Sequence, residues 1–321
     1  MFGRFPFWRG HLRTIAPFLS RRLRPLARPQ TVPVAFDFDE PEVGQVRLTG
    51  ALLKKGSRDL LVVLHGLGGS IESGYMACAL RAADEAGRDC LLLNFRGADC
   101  SRVDVYHSGL TSDLERVLQS DLLKRYEAID LFGYSIGGHV ALCYATRQVD
   151  ARLRRVAAIC SPLDLERSAR DFDRARLSLY RGHVMGALRK MYPHPSVSLE
   201  LPRLPGPYRL TRQQVRAIDK IEQWDRLVVA PRFGFASPKD YYRSQSVAQK
   251  LDQLRVESLY VGARFDPMVQ AEPVRSALEH APIESVWDDA AGHLGFRDDF
   301  QLGLAAPSGL EPQVLAWLSR P

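Results

Sequence analysis

Six residues, Gly133-Tyr134-Ser135-Ile136-Gly137-Gly138, narrow the folds open to this chain more than any other segment. They follow the apolar run Ile129-Asp130-Leu131-Phe132 and precede Val140-Ala141-Leu142-Cys143-Tyr144-Ala145, which reads as a helix. A serine between glycines at a strand-to-helix junction is a nucleophile elbow. The turn is so sharp that backbone passes where a Cβ would sit, so glycine stands at 133 and 137. It lifts the Ser135 hydroxyl into the open and aims the first N–H groups of the helix at the same point.

The rest of the chain supplies the sheet that such a turn needs. Val34–Asp39 and Gln45–Lys54 read as an antiparallel pair, with Pro41 and Gly44 in the turn. Leu60–Leu64 is continuously apolar, as a strand covered on both faces should be. Cys90–Asn94, Ile129–Phe132, Val156–Cys160, Val256–Val261 and Ile283–Val286 repeat the strand signal. Helical patterns fall at Ser73–Ala86, Asp113–Tyr126, Glu272–His280 and Glu311–Leu318. Strand and helix alternate with short links, which predicts an α/β fold with a mostly parallel central sheet flanked by helices. The alternation breaks from about residue 162 to about 240, where helical patterns at Arg170–Tyr192 and Thr211–Trp224 flank a proline-rich stretch. That interruption reads as an α-helical cap inserted over the carboxyl edge of the sheet. The domain spans 34–321, behind an N-terminal arm at 1–33.

A serine hydroxyl needs a base to take its proton and a third group to orient that base. In sheets built around such an elbow the chain order is Ser, then Asp or Glu, then His, on loops after late strands. Asp266 is the only acid in the loop after Ser258-Leu259-Tyr260-Val261, and Pro267 stiffens the backbone beside it. A helix N-cap is the competing reading of Asp266. His293 follows the next strand between Gly292 and Gly295. The other histidines fit less well. His139 lies on the elbow helix and should pack against the sheet; His183 and His194 lie in the insertion, His280 ends a helix and His11 is in the arm. His65 and His107 precede the serine and are candidates to line the pocket. Two backbone N–H donors should form an anion hole: Ile136, after the serine, and Leu67, in the His65-Gly66-Leu67-Gly68 loop. The same glycines could be read as a phosphate loop, but no Lys-Ser/Thr follows them. Nothing in the pattern requires a metal or a cofactor.

Composition bounds the setting. The five cysteines are scattered, odd in number and without metal-ligand spacing, as in a reducing compartment. The net charge of +7 is uneven: seven arginines and no acid occupy the first 36 residues, with Phe2, Phe5, Phe7, Trp8, Ile15, Phe18 and Leu19 among them. The arm is expected to pack its aromatics on the domain and leave arginine heads in water, with weak contact to a membrane surface left open. Nucleic acid is not the expected partner. No window approaches the roughly 20 apolar residues that cross a bilayer, and Pro6, Pro17 and Arg21-Arg22 interrupt any secretory signal. A cytoplasmic location is the expectation.

Several motifs together resemble one family. They are Gly10-His11-Leu12-Arg13-Thr14, His65-Gly66-Leu67-Gly68-Gly69-Ser70, Asn94-Phe95-Arg96-Gly97, Tyr106-His107-Ser108-Gly109, the elbow, Gly234-Phe235 with Tyr241-Tyr242, Asp266-Pro267 and Gly292-His293-Leu294-Gly295-Phe296. The chain resembles the α/β-hydrolase superfamily and, within it, the YheT-like hydrolases, related to abhydrolase-domain proteins 1 and 3. The resemblance implies a serine esterase acting on short or medium acyl esters or acylglycerols, with a triad at Ser135, Asp266 and His293. Arg13, where relatives usually have glutamine, and Arg264-Phe265, where an acid is more usual, depart from the pattern. Two other readings stay open: an acyltransferase that passes the acyl group to an alcohol, and a binding protein on a hydrolase scaffold. Haloalkane or epoxide chemistry in its usual form is excluded, since it needs a carboxylate at 135.

Overall fold

The computed structural model describes residues 8–41, 44–101, 104–147, 150–193 and 210–320. Eight strands form one sheet in the order β1-β2-β4-β3-β5-β6-β7-β8. β1 (Val32–Glu40) and β2 (Gly44–Leu53) are an antiparallel hairpin, and β2 runs antiparallel to β4 (Asp89–Leu93). β3 (Asp59–Leu64), β4, β5 (Ala128–Tyr134), β6 (Leu153–Ile159), β7 (Glu257–Ala263) and β8 (Glu284–Asp288) run parallel. The eight expected strands are all present.

Strand periodicity decides which core each side chain joins. Leu60, Val62 and Leu64 enter one apolar layer with Val140 and Leu142 of the elbow helix. Leu61 and Val63 enter the opposite layer with Met76 and Leu80 of α2 (Gly74–Glu85) and with Val314 and Trp317 of the last helix, Leu310–Leu318. Both layers exclude water from β3, which explains its unbroken apolar run. Asp130, the polar interruption of β5, is fully buried and held by Arg88 and Arg154, each at 2.6 Å.

Expected helices are shortened where distant groups capture their ends. The span expected at 113–126 is α3 (Thr111–Leu118) and a separate turn at Asp121–Leu123. Between β6 and β7 the described residues include the helices α5 (Leu165–Phe172), α6 (Ser178–Met191), Arg212–Ala217, Ile221–Trp224, Ala230–Phe233 and Pro238–Gln245 and a final turn at Ala248–Gln253. Helix 221–224 starts afresh because the Asp173 carboxylate accepts the Ile221 and Glu222 N–H groups at 2.8 and 3.0 Å. Residues 194–209, with His194 and most of the proline cluster, lie outside the described residues. A buried ionic node fastens this segment to the sheet. Arg96 holds Asp113 at 2.5 Å and Asp104 at 2.9 Å, and Arg232 from the helical segment reaches Asp104 at 2.6 Å; both arginines also meet Glu40.

The glycines give a direct test of this packing. A Cβ on Gly137 would lie 2.3 Å from the Leu64 carbonyl oxygen. Gly137→Ala should cost about 1–3 kcal/mol. Gly182, in α6, has nothing within 4 Å of such an atom, so Gly182→Ala should stabilise by about 0.5–1 kcal/mol. Urea unfolding measures both; equal midpoints for the two variants would contradict the described passage of backbone at residue 137.

Candidate active site

β5 ends in the elbow, and α4 (Ile136–Ala145) begins directly after it. Ser135 sits at φ 52°, a left-handed conformation that few non-glycine residues adopt. Its N–H donates to the Ile159 carbonyl at 2.8 Å. A Cβ at Gly133 would strike Gly137 and Gly138 backbone at 2.3 Å, and one at Gly138 would strike Ser161 Oγ at 2.0 Å. The packed backbone therefore enforces the serine's strained angle. Ser135 keeps 9% of its surface open.

Asp266 follows β7 and His293 follows β8, as the chain order requires. Nδ1 of His293 lies 2.8 Å from Oδ2 of Asp266. The other oxygen, Oδ1, accepts the N–H groups of Met268 at 2.7 Å and Val269 at 2.9 Å. The carboxylate is thus fixed on one side and offered to the imidazole on the other. Its bond to Nδ1 places that ring proton on the acid side and leaves Nε2 as the free base. Among the described residues no hydrogen bond joins Ser135 Oγ to the ring; such contacts often close only around a substrate.

The loop after β3 supplies amides beside the serine, and a Cβ on Gly66 would lie 3.3 Å from the Ser135 Cβ. Three of its donors are spoken for: Gly66 N–H donates to the Tyr75 hydroxyl at 3.0 Å, Gly68 N–H to the Tyr106 hydroxyl at 2.9 Å, and Gly69 N–H to the Gly66 carbonyl at 3.0 Å. Leu67 N–H and Ile136 N–H have no such partner among the described residues. Helix α6 closes over this loop: a Cβ on Gly68 would lie 3.1 Å from the Ala187 Cβ.

The residues around Gly10-His11-Leu12-Arg13-Thr14 hold the largest finding that sequence reasoning missed. They form α1 (Trp8–Leu23), a helix seated on the two loops that carry the acid and the base. Thr14 Oγ1 accepts the backbone N–H of His293 at 2.8 Å and donates to the Gly10 carbonyl at 2.8 Å. Added Cβ atoms at Gly10 and Gly295 would each lie 1.8 Å from a carbonyl oxygen across the contact, Phe265 and Arg13 respectively. The glycines flanking His293 therefore serve close helix docking, not only loop reach. The signal was present in the glycine spacing, but its partner is some 280 residues away. His11 stacks on Tyr180 of α6 and bonds its hydroxyl at 2.9 Å, so α1 also anchors the helical segment. Arg264 is exposed and faces Asp289 at 3.5 Å, while Asp266 bonds elsewhere.

Cys160 Sγ, an Asp266 oxygen and a His293 nitrogen lie within 4.8 Å of one another. These donors fit a metal poorly. Burial, then the Asp266 charge, push the Cys160 thiol well above its usual range, so it stays protonated. Asp266 already serves two amides and the imidazole. The five cysteines are free thiols.

Taken together, the sheet order, the elbow and the placement of the late-loop acid and base define an α/β-hydrolase. The family model described as "alpha/beta hydrolase fold" matches residues 59–299, and the chain belongs to that family. Among curated relatives, the Escherichia coli protein YheT, named as an esterase, is 26% identical over 74% of this chain and 70% of its own length. The Saccharomyces cerevisiae monoacylglycerol lipase is 24% identical, covering 76% of this chain and 56% of its own length. The yeast medium-chain fatty acid ethyl ester synthase/esterase 2 is 25% identical, covering 77% of this chain and 60% of its own length. The chain therefore spans less than two thirds of either yeast relative. These names agree with the YheT-like resemblance of the motifs. Among solved structures, a serine hydrolase from Cycloclasticus zankles shares the fold at a TM-score of 0.53 and 15% identity, over 82% of this chain and 92% of that one. The Pyrococcus furiosus esterase Pf2001 does so at 0.51 and 17%, over 82% and 84%.

Three other histidines, His139, His65 and His107, are buried and hydrogen-bonded within the fold. His139 was expected to pack against the sheet. It is buried, but its Nδ1 faces the Pro162 carbonyl at 2.7 Å and its Nε2 the Gln245 carbonyl at 3.0 Å. Burial lowers its pKa, yet Cys143 and the two carbonyls outweigh it and the net shift is upward. His65 is fully buried, and burial pushes its pKa down to about 4. Its Nε2 accepts the Phe95 N–H at 3.1 Å and its Nδ1 faces the Gly66 carbonyl at 2.8 Å, so the proton sits on Nδ1. His107, boxed by Phe233, Phe235 and Tyr241, is lowered to about 3 by burial and then by Arg96. It accepts the Gly109 N–H on Nδ1 at 3.1 Å, which puts its proton on Nε2. Both rings bind a proton less readily folded than unfolded. Their contribution is complete above the unfolded pKa of about 6.5 and is lost as pH falls toward the folded values. Imidazole nitrogen NMR at a pH of about 5.5 should find both rings still neutral and in opposite tautomers. A protonated ring at either position would contradict the described bonding.

Proposed function

We propose that this chain hydrolyses carboxylic esters through an acyl-enzyme on Ser135, with short or medium acyl esters or acylglycerols as substrates. The observation that carries the reading is the 2.8 Å Asp266–His293 pair, set on the sheet edge that also presents the elbow serine. His293 Nε2 takes the Ser135 proton as Oγ attacks the ester carbonyl. Asp266 holds the imidazole tautomer and balances the imidazolium. Leu67 and Ile136 N–H groups receive the developing oxyanion, each donor lowering the barrier by about 3–4 kcal/mol. The imidazolium then protonates the leaving alkoxide. Water, deprotonated by the same nitrogen, releases the acid and restores the serine. Every step uses groups of the chain itself, and the esterase and lipase names of the relatives support the reading. The yeast relative named as an ethyl ester synthase/esterase motivates a second reading, in which an alcohol replaces water at the acyl-enzyme. Product analysis with added ethanol separates the two. The cap over residues 162–240 would set that partition. A binding protein without catalysis fits less well, because no triad position is replaced.

A fluorophosphonate should label Ser135, located by mass spectrometry, and Ser135→Ala should lose both the label and about 10⁴-fold or more in kcat on a p-nitrophenyl ester. Asp266→Asn should cost about 10⁴-fold by releasing the wrong tautomer. Labelling that survives in Ser135→Ala would place the nucleophile elsewhere.

Thr14 should act as a positioning residue through the His293 backbone. Thr14→Val should lower kcat about 10- to 100-fold with KM little changed, and Thr14→Ser should restore it. A Thr14→Val enzyme with normal kcat, or one whose loss matches an equal fall in thermal stability and is not rescued by serine, would deny that role.

A further inference from the structure

Eight large apolar side chains are exposed among the described residues, and six of them lie on α1 or the adjoining α6: Trp8, Leu12, Phe18, Leu19, Leu23 and Leu179. Phe18 has a partner, an edge-on contact with His183 of α6 at 5.1 Å. The Arg9 guanidinium lies 5.7 Å from the Trp8 ring centroid, and exposure is 57% at Trp8, 54% at Leu12, 46% at Leu19 and 80% at Leu23. At about 100° per residue, Trp8, Leu12, Leu19 and Leu23 fall within an arc of roughly 60° on the helix. Gly10, Thr14 and Pro17 lie on the opposite face and touch the Phe265, His293 and Gly295 loops, as does the Arg13 carbonyl. The fold has used one face of α1 and left a continuous apolar stripe on the other.

We infer that α1 is a docking helix for the surface of an anionic phospholipid bilayer. The charge around the stripe selects this occupant. Arg9 and Arg22 border its two edges, Arg13 and Arg24 stand nearby, and all four are exposed. Arg13, Arg22 and Arg24 have no ion pair among the described residues, and no acid occurs before Asp37. A helix with Trp and Leu on one side and arginine along the flanks lies in the headgroup plane, apolar face down, and anionic lipid draws the arginines. A second copy of the chain would set arginine rows against each other with no acid to balance them. A nucleic acid would match the arginines but leave the stripe in water. The helix has 16 residues and carries three arginines besides Arg9, so it rests on the bilayer and does not cross it. Docking through this face sets α1 between the lipid and the loops of Asp266 and His293. The inference stands on exposure and charge alone, so its failure leaves the ester chemistry untouched.

The full chain should be tested by co-sedimentation with vesicles of phosphatidylcholine alone and of phosphatidylcholine mixed with phosphatidylglycerol. Binding to the mixed vesicles should be at least about tenfold tighter than to the neutral ones and should weaken with salt. The Leu19→Asp/Leu23→Asp protein should lose about tenfold or more of that binding, with its melting temperature and fluorophosphonate labelling unchanged. The Arg22→Gln/Arg24→Gln protein should lose the preference for anionic lipid and serves if the leucine variant does not fold. No binding to either vesicle, equal binding to both, or binding that neither variant alters would overturn the inference. So would light scattering that finds a dimer in the parent protein and a monomer in the leucine variant, since a second copy would then occupy the stripe.

Discussion

The closeness of backbone to backbone at the end of β5 governs everything placed around it. Three segments converge there: the strand, the first turn of α4 and the carbonyls that end β3. No side chain fits between them, and Ser135 is left in a conformation that costs energy on its own. That cost is carried by the surrounding sheet, through the serine's N–H bond to Ile159 and through two apolar layers that fix β3 and β5 in register. The strained turn has a chemical yield, since it exposes a hydroxyl and aims the uncommitted N–H of Ile136 at the same point. Because the strands are parallel, the loops after β3, β7 and β8 all emerge at this edge, so donors, acid and base need only short loops to reach it.

Those short loops do not hold themselves. Asp266 relies on amides two and three residues ahead. His293 relies on Thr14, near the other end of the chain. The loop after β3 is shaped by two tyrosine hydroxyls, which occupy the amides on either side of Leu67 and leave that one uncommitted. It is Tyr75 and Tyr106, not Leu67's own side chain, that leave the Leu67 amide for the role proposed for it. The ionic node of Arg96 and Arg232 does similar work at larger scale, joining the first hairpin, the loop after β4, α3 and the helical segment in one cluster of two guanidiniums and three carboxylates.

Most of the sheet was legible in the sequence because its causes are local. Continuous apolar runs, glycine at the elbow and the alternation of strand with helix each act within a few residues. The order Ser135, Asp266, His293 could be read from the positions of the late strands, and the structure brings the last two into contact. What escaped reading has distant causes. The helix expected at 211–224 breaks because Asp173 caps its second half from 48 residues away. The arm was read by composition, aromatics and arginines, and the close seat of its helix on the loops of Asp266 and His293 depends on glycines at 292 and 295. His139 looked like one more residue of an apolar helix, since nothing near it in sequence announces two carbonyls from either end of an insertion.

That histidine bears on how the site could open. Pro162 begins the inserted helical segment and Gln245 lies close to its end, and one buried ring on the helix that follows Ser135 grips both roots. A jaw that swings about those roots would have to tear two bonds out of a dry interior. Traffic to and from the serine must instead pass by adjustments farther out along the insertion, with its roots clamped and the elbow beneath them undisturbed.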